Sequence, residues 1–386
     1  MTDVFKWLRG ASMVMCAFSA SVALPAHASS PKLLDCPLRD APFSIDSPLV
    51  DLLLSAAAKA VINQHAPGLI AQIPPFLTGT TAPTFSAILQ GRSVLVMVPG
   101  MKSFNTEPLD KALRALPVTT ADKQARCVRY DNERPSFKLA KGKPRVLLFE
   151  KMTGFRDSPS VEAAKTAFQQ LASRNGWALA VTDKGGAMHP AVLKKFDVVV
   201  WNNVSGDVLT LSQRKAFRAF VENGGGFVGI HGSAGDPVYF WDWYPDSLIG
   251  ARFVGHPNEP QFQDAQIVLE KTPSGIRSGL GNGWVMNDEW YSFAKSARLN
   301  GAQVVATLNE DTYKPGINRF GDTPLVMGSD HPIAWTRCVG KGRSFYSAIG
   351  HRPETYSDER HLKLLEQAIA WTANSASSSC KPKAGK

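Results

Sequence analysis

The sequence predicts an α/β fold in which helices cover both faces of a mainly parallel sheet, preceded by a small helical module. From residue 145 onwards, short apolar runs alternate with amphipathic runs of helical length, which is the rhythm of βα units. Before residue 133, Ser or Thr residues followed closely by proline mark the beginnings of predicted helices. The chain has 386 residues, 44% hydrophobic and 20% charged, an ordinary globular composition with room for one large domain and a module.

The first 28 residues have the pattern of a secretory signal peptide. Lys6 and Arg9 precede the apolar run 11–24, and an Ala-x-Ala sequence ends at Ala28. That run is too short to cross a bilayer, and no later run approaches the roughly 20 apolar residues that a spanning helix needs. The sequence therefore predicts a periplasmic or secreted protein that begins at Ser29 and has no transmembrane segment.

The cysteines suit an exported protein. Once Cys16 is removed with the signal peptide, Cys36, Cys127, Cys338 and Cys380 remain, and export permits disulfides. Four cysteines allow three connectivities. We favour Cys36–Cys127, which would close the N-terminal module, and Cys338–Cys380, which would hold the C-terminal tail.

The charge does not indicate a nucleic-acid partner. The formal net charge is +10, and removing Lys6, Arg9 and Asp3 with the signal peptide leaves 10 − 1 = +9. Helix-turn-helix, RNA-binding and zinc-finger patterns are absent from the sequence. We therefore expect no nucleic acid as partner, and the sequence gives no indication of the oligomeric state.

Four segments follow the signal peptide. A helical module is expected over residues 29–133, where one helix should begin at a Ser47 cap and continue to Ile62. A polar, proline-bounded linker follows at 134–144. The α/β domain then covers 145–374, and a tail completes the chain. The tail comprises residues 375–386.

Each element of the α/β domain has its own local signal. Helix 159–176 has proline at its start and glycine at its end, helix 210–222 follows a Thr210 or Ser212 cap, and a closing helix covers 358–373. The expected strands are apolar or β-branched runs between turn residues. They are residues 145–149, 177–182, 196–203, 227–230, 265–270, 303–310, 332–337 and 343–349.

His231 directly follows the apolar run 227–230. In α/β sheets, ligands bind at the carboxyl ends of the strands. The sequence therefore predicts that this imidazole faces a binding site.

Residues 145–374 resemble the ThuA-like (trehalose utilisation) family. The matching segments occur in family order and are TGFR (153–156), GDVLT (206–210), AFVENGGGFVGIH (219–231), WDWY (241–244), LIGARFVGHP (248–257), NDEWYSF (287–293), ATLNEDTY (306–313), DHPIAW (330–335) and GRSFYSAIGH (342–351). The resemblance implies a flavodoxin-like fold of the class I glutamine amidotransferase type and a role in carbohydrate metabolism. A disaccharide, glycoside or keto-sugar is the small molecule that it implies.

Two features separate this chain from its fold relatives and from its family. A glutamine amidotransferase needs a cysteine on the turn after this strand, where this chain has His231. Glutaminase chemistry is therefore not expected. Many family members read Gly-Phe-Arg-His after the first strand, whereas here Asp157 follows Arg156.

Histidines and carboxylates at strand ends suggest a metal site. The candidate ligands are His231, His256, Glu289 and His351, with Asp157 in the place of the family histidine. Imidazole and carboxylate together suit zinc or a similar divalent ion, which would polarise a sugar carbonyl or activate water. His256, like His331, precedes a proline and equally fits a structural, hydrogen-bonded role.

The catalytic candidates are His231, Glu289 and His351, with Arg156 orienting a hydroxyl or carboxylate of the substrate. Aromatic rings near these residues could pack on the apolar faces of a sugar, although loop packing explains them equally well. The substrate-binding candidates are Trp241, Trp243, Tyr244, Asp288, Trp290 and Tyr291.

Two other functions remain open. Ser233 lies in a sequence close to the Gly-x-Ser-x-Gly elbow of esterases, although His231 replaces the first glycine. The third possibility is a sugar-binding or docking protein without catalysis, which the change at Asp157 and the added helical module would both suit.

Overall fold

The computed structural model of the protein describes residues 33–272, 274–318, 323–374 and 380. The predicted signal peptide and most of the predicted tail lie outside these residues. In the described part of the chain, no helix has the length and apolar character needed to cross a membrane.

Within the described residues, nine strands form one mixed sheet and two more form a small antiparallel pair. The strands are β1 (Arg145–Phe149), β2 (Ala178–Thr182), β3 (Val198–Asn202), β4 (Gly226–Ile230), β5 (Phe253–Gly255), β6 (Phe262–Leu269), β7 (Gly283–Glu289), β8 (Ser292–Phe293), β9 (Gln303–Asn309), β10 (Pro332–Val339) and β11 (Gly342–Ser347). The order in the large sheet is β2-β1-β3-β4-β11-β10-β9-β6-β7. Strands β2, β1, β3, β4 and β11 pair in parallel, and antiparallel pairing continues from β11 to β7. Only β10 and β6 therefore run against the common direction among these strands.

The helices before residue 133 form the N-terminal module, and those after it belong to the α/β domain. They are α1 (Leu49–Leu54), α2 (Ala56–His65), α3 (Leu69–Gln72), α4 (Gly91–Leu95), α5 (Glu107–Arg114), α6 (Thr120–Cys127), α7 (Ser158–Asn175), α8 (Pro190–Leu193), α9 (Leu211–Glu222) and α10 (Glu359–Ala373). The predicted α/β class is confirmed. The apolar faces of α7, α9 and α10 pack with β1, β3 and β4 in the main core.

The helix ends follow the capping residues. The Asp157 side chain accepts from Ser160 N at the start of α7, and Gly176 ends that helix in the left-handed conformation. Thr210 and Gln213 form a reciprocal capping box on α9. Asp358 caps α10.

The prediction of a single helix from Ser47 to Ile62 is wrong. Ser55 takes an extended conformation and its hydroxyl accepts from Ala58 N, so the segment divides into α1 and α2. Ser47 does not cap a helix, because its hydroxyl accepts from Ser44 N at 2.9 Å.

The two favoured disulfides are both formed. Cys36 bonds to Cys127 across the N-terminal module, and Cys338 bonds to Cys380. The module is further joined to the α/β domain by backbone contacts, such as Thr84 N donating to Thr153 O at 3.0 Å.

Candidate functional site

His231 lies at the turn that ends β4, with a backbone φ of +36° and a buried side chain. Its Nδ1 is 2.7 Å from Ala348 O. A carbonyl oxygen only accepts, so Nδ1 carries the proton and the lone pair of neutral His231 lies on Nε2. That nitrogen is 3.3 Å from Glu289 Oε2 and 3.2 Å from His351 Nδ1.

Glu289, at the end of β7, is held through both carboxylate oxygens. Oε1 accepts from Gln261 Nε2 at 2.5 Å and lies 3.2 Å from His256 Nδ1. Oε2 faces the two other histidines, with His351 Nδ1 at 3.0 Å. Oε1 is therefore used for orientation, while Oε2 is directed at the imidazoles.

His351 lies on the loop after β11, and Asp288 fixes that loop. The buried Asp288 carboxylate accepts from Gly350 N at 2.6 Å and from Arg352 N at 3.0 Å, on either side of His351. The sequence leaves Asp288 open as a contact for substrate or as a partner of backbone groups, and the structure places it among backbone donors.

Three donor atoms thus form a compact triangle: His231 Nε2, His351 Nδ1 and Glu289 Oε2. Its edges are 3.2, 3.3 and 3.0 Å. Tetrahedral zinc with ligands at about 2.1 Å separates them by about 3.4 Å, close to this spacing. Among the described residues, these three also stand out as a group able to hold a metal ion.

The electrostatics of the triangle favour a carboxylate beside imidazoles. Burial acts to raise the pKa of Glu289, but the neighbouring imidazoles of His231, His351 and His256 outweigh it and hold the pKa well below its usual range. Burial acts to lower the pKa of His351, and the contact with Glu289 outweighs this and raises it. For Asp288, burial dominates and raises the pKa.

His256 and Tyr291 support the triangle from one side. The Nδ1 of His256 also contacts Pro257 O at 2.9 Å, so this nitrogen serves as a donor to oxygen. The ring of Tyr291 lies 4.1 Å from that of His231 between centroids. His331 contacts the backbone of Tyr291, with Nε2 2.9 Å from Tyr291 O. Its Nδ1 lies 2.7 Å from Glu310 Oε1. These contacts fit the structural, hydrogen-bonded role that the sequence left open for His331.

Asp157 and Arg156 have partners outside the triangle. The Asp157 carboxylate caps α7, and Arg156 has Nη2 3.4 Å from Glu162 Oε1 and Nε 3.3 Å from Ser158 Oγ.

The remaining aromatic candidates face the protein interior or each other. Trp290 is fully buried and its indole donates to Gln263 O at 2.8 Å. Trp241 stacks on Trp243 at 5.0 Å, and Tyr244 stacks on the core residue Trp201 at 4.7 Å. The structure therefore does not bring these rings to the triangle.

Ser233 is engaged by backbone groups. Its hydroxyl donates to Trp201 O at 2.8 Å and accepts from Val204 N at 3.2 Å. These bonds use the hydroxyl proton that a nucleophilic serine would pass to a base.

Three further residues complete the site, and sequence reasoning did not single them out. Gln261 orients Glu289 but belongs to no motif, so its role depends on the pairing of β6 with β7. Phe155 belongs to the TGFR segment (153–156), and its ring lies 6.3 Å from that of His351. Phe262 approaches the same imidazole at 5.2 Å.

Comparison with known proteins gives a consistent result. The sequence profile of the ThuA family, described as trehalose utilisation, matches residues 145–372, more than half of the chain. A solved protein from Bacteroides uniformis ATCC 8492, described as ThuA-like, is 27% identical with a TM-score of 0.51, over 62% of this chain and 95% of that one. Another from Parabacteroides merdae ATCC 43184 is 15% identical with a TM-score of 0.43, over 62% and 93%. No curated protein sequence matches the chain.

Proposed function

Because the chain belongs to the ThuA (trehalose utilisation) family, we propose that it is a carbohydrate-active enzyme. Its active site would hold one divalent cation, such as zinc, bound by His231, Glu289 and His351. The family membership supports a carbohydrate-related role. A disaccharide, glycoside or keto-sugar is the proposed substrate class.

The observation that carries this proposal is the triangle of donor atoms. Neutral His231 directs the lone pair of Nε2 at a carboxylate oxygen 3.3 Å away, which is unfavourable unless a proton or a metal ion lies between the two atoms. A cation satisfies all three atoms at once. Two histidines and one glutamate also form the ligand set of catalytic zinc sites that keep a fourth position open.

When bound, such a cation would polarise a sugar carbonyl or lower the pKa of a water molecule. The protein residues supply orientation. Ala348 O fixes the ring of His231, Gln261 fixes Glu289, and Asp288 fixes the backbone around His351. Such outer contacts commonly set the affinity and direction of metal ligands.

Arg156 is proposed to orient a hydroxyl or carboxylate of the substrate. It follows Phe155, whose ring contacts His351, and its guanidinium is partly exposed beside Glu162. We also propose that the protein is periplasmic or secreted, which the two disulfides support.

Elemental analysis of the purified protein tests the metal site directly. After loading with zinc and dialysis, we expect about one equivalent per chain in the wild type, consistent with a three-ligand site. His231→Ala and Glu289→Gln should lose it, because each removes one corner of the triangle. His65→Ala is the matched control, since His65 lies at the end of α2 in the N-terminal module.

Circular dichroism must show that each variant is folded. A folded wild type that retains no zinc, cobalt or manganese above background would overturn the metal site. Turnover of a panel of sugars and keto-sugars then decides catalysis: a His231→Ala variant as active as the wild type would contradict the catalytic assignment. Saturable sugar binding without turnover would instead identify a binding protein.

A further inference from the structure

Three phenylalanines are among the large apolar side chains that the described residues leave exposed. Phe76 is 58% exposed, Phe155 37% and Phe262 38%. All three belong to one series of ring contacts that passes through Phe85 and His351, which we call the aromatic row. Single exposed apolar residues are normal, whereas contiguous ones often mark a binding surface.

The row connects the N-terminal module to the candidate site. Ring centroids are 5.7 Å apart for Phe76 and Phe85, 5.1 Å for Phe85 and Phe155, and 6.3 Å for Phe155 and His351. Phe262 contacts the imidazole of His351 at 5.2 Å. Two phenylalanines therefore flank His351, and the other two extend the surface onto a part of the chain that precedes the family match.

One end of the row lies beside the most exposed of the three proposed ligands. Side-chain exposure is 3% for His231 and 2% for Glu289, but 14% for His351. The side chain of His256, which contacts Glu289 Oε1, is 27% exposed, so the donor triangle opens on the side of His351 and His256. Phe155 and Phe262 lie beside His351 on this side. A molecule longer than one ring that is bound at the triangle and extends past His351 would lie along the row.

Guanidinium groups accompany the rings. Arg352 lies 5.7 Å from the centroid of Phe262, and Arg156 directly follows Phe155. Aromatic faces accept the apolar C–H surface of a sugar, and guanidinium N–H groups donate to hydroxyls. This combination suits a carbohydrate ring better than the apolar side chains of a protein partner.

We propose that the aromatic row binds the second ring of a disaccharide whose first ring lies at the donor triangle. This inference rests on the proposed function and narrows its substrate class to two-ring sugars. The N-terminal module, through Phe76 and Phe85, then forms part of the substrate site.

Isothermal titration of the full mature protein with matched sugars tests this. The probes are 1,1-, 1,4- and 1,6-linked disaccharides of glucose, galactose and mannose, together with the methyl glycosides of the same units. At least one disaccharide should bind about 10-fold more tightly than its methyl glycoside, which corresponds to about 1.4 kcal/mol. Phe155→Ala and the more exposed Phe76→Ala should remove this preference, whereas Leu299→Ala, an exposed residue outside the row, should keep it.

Several outcomes would overturn the inference: no disaccharide preferred over its methyl glycoside, a preference unchanged in both phenylalanine variants, or row-dependent binding of an apolar peptide in place of sugars. Zinc content, measured in the same samples, reports separately on the proposed function. A protein with zinc but no disaccharide preference disproves only the role of the row. A protein without zinc that keeps a row-dependent preference disproves only the metal site.

Discussion

At the residue scale, the turn at His231 is held by hydrogen bonds to both polar atoms of the peptide group that follows it. Its φ of +36° lies in the left-handed region, which is costly for a residue with a Cβ. Tyr346 donates its hydroxyl to His231 O at 2.8 Å, and Asn203 Oδ1 accepts from Gly232 N at 3.1 Å. Strain of this kind persists when the surroundings over-determine the conformation, and here it directs Nε2 at Glu289.

The identity of the three proposed ligands could be predicted because each directly follows, ends or closely follows a strand. The contacts that orient these three ligands could not be predicted. Gln261 orients Glu289 through a side-chain hydrogen bond that depends on strand pairing, so residue type and spacing carry no signal for it. Asp288 could be named as a candidate, but the distant loop that its carboxylate holds could not. Asp157 shows the opposite case, since its cap on α7 is a local contact within three residues.

Asp236 offers a prediction about pH. Its buried carboxylate accepts from Ser205 Oγ at 2.6 Å and Gly206 N at 2.7 Å, and burial raises its pKa from 3.8 to about 7. A raised pKa means that the folded state binds the proton more tightly than the unfolded state. The stability from Asp236 is therefore complete below pH 3.8 and is lost as the pH rises through about 7.

Asp236→Asn removes this titration while keeping the shape of the side chain. The free energy of unfolding of the variant minus that of the wild type should rise by about 4 kcal/mol between pH 4 and pH 7.5. Urea unfolding at both pH values measures it. Asp242→Asn, at an exposed carboxylate, should follow the wild type, and a flat difference for Asp236→Asn would contradict the prediction.

At the element scale, the parallel half of the sheet and its helices could be predicted, because each βα unit carries its own apolar run and caps. The antiparallel strand β7 and the short pair of β5 and β8 were not expected. Their register depends on pairing between segments distant in sequence, as between Phe262 and Glu289. Ser55 shows a smaller failure, where a local hydroxyl bond ended a helix that the apolar spacing favoured.

Substitutions of Asp157, at the start of α7, distinguish two roles for its carboxylate, as helix cap and as metal ligand. Asp157→Ala should lower the free energy of unfolding by about 1 kcal/mol, because Ser160 N loses its acceptor. Asp157→Ser should restore most of that stability, since serine also caps helices. Urea unfolding measures both.

Zinc content distinguishes the two roles. Both Asp157 variants should hold as much zinc as the wild type, because the triangle does not include this residue. Loss of zinc from the well-capped Asp157→Ser variant would show that the carboxylate is a ligand, as the family comparison of the sequence suggested.

At the scale of the whole molecule, the site depends on the shape of the sheet. β7 lies four places from β11 in the strand order, about 19 Å in a flat sheet. Glu289 at the end of β7 nevertheless lies 3.0 Å from His351, four residues after β11. The sheet must therefore curl and its loops reach across its edge, which no local sequence pattern specifies.

The N-terminal module is tied to the α/β domain at several points. Tyr130 donates to Asp207 Oδ2 at 3.0 Å, and Ser212 N donates to Asp35 Oδ2 at 2.8 Å. The module also carries a buried ion pair between Asp51 and Arg129. We therefore expect the module and the α/β domain to unfold in one transition.

Removing the Cys36–Cys127 disulfide tests this expectation. The bond spans 91 residues and the Cys338–Cys380 bond spans 42, and the entropy of loop closure gives roughly 4 to 5 kcal/mol for the first and slightly less for the second. Replacing Cys36 and Cys127 together by alanine should lower the single unfolding midpoint in urea, followed by tryptophan fluorescence and far-ultraviolet circular dichroism.

The two signals distinguish a joined module from an independent one. If the module is part of the same cooperative unit, both signals shift together, because tryptophans such as Trp201 and Trp290 belong to the α/β core while α1 to α6 contribute only helical signal. The double variant at Cys338 and Cys380 is the matched control, and it should shift the same single transition. An early loss of helical signal with unchanged tryptophan fluorescence would show that the module unfolds alone, and would remove the rigid support that Phe76 and Phe85 need to form part of a substrate site.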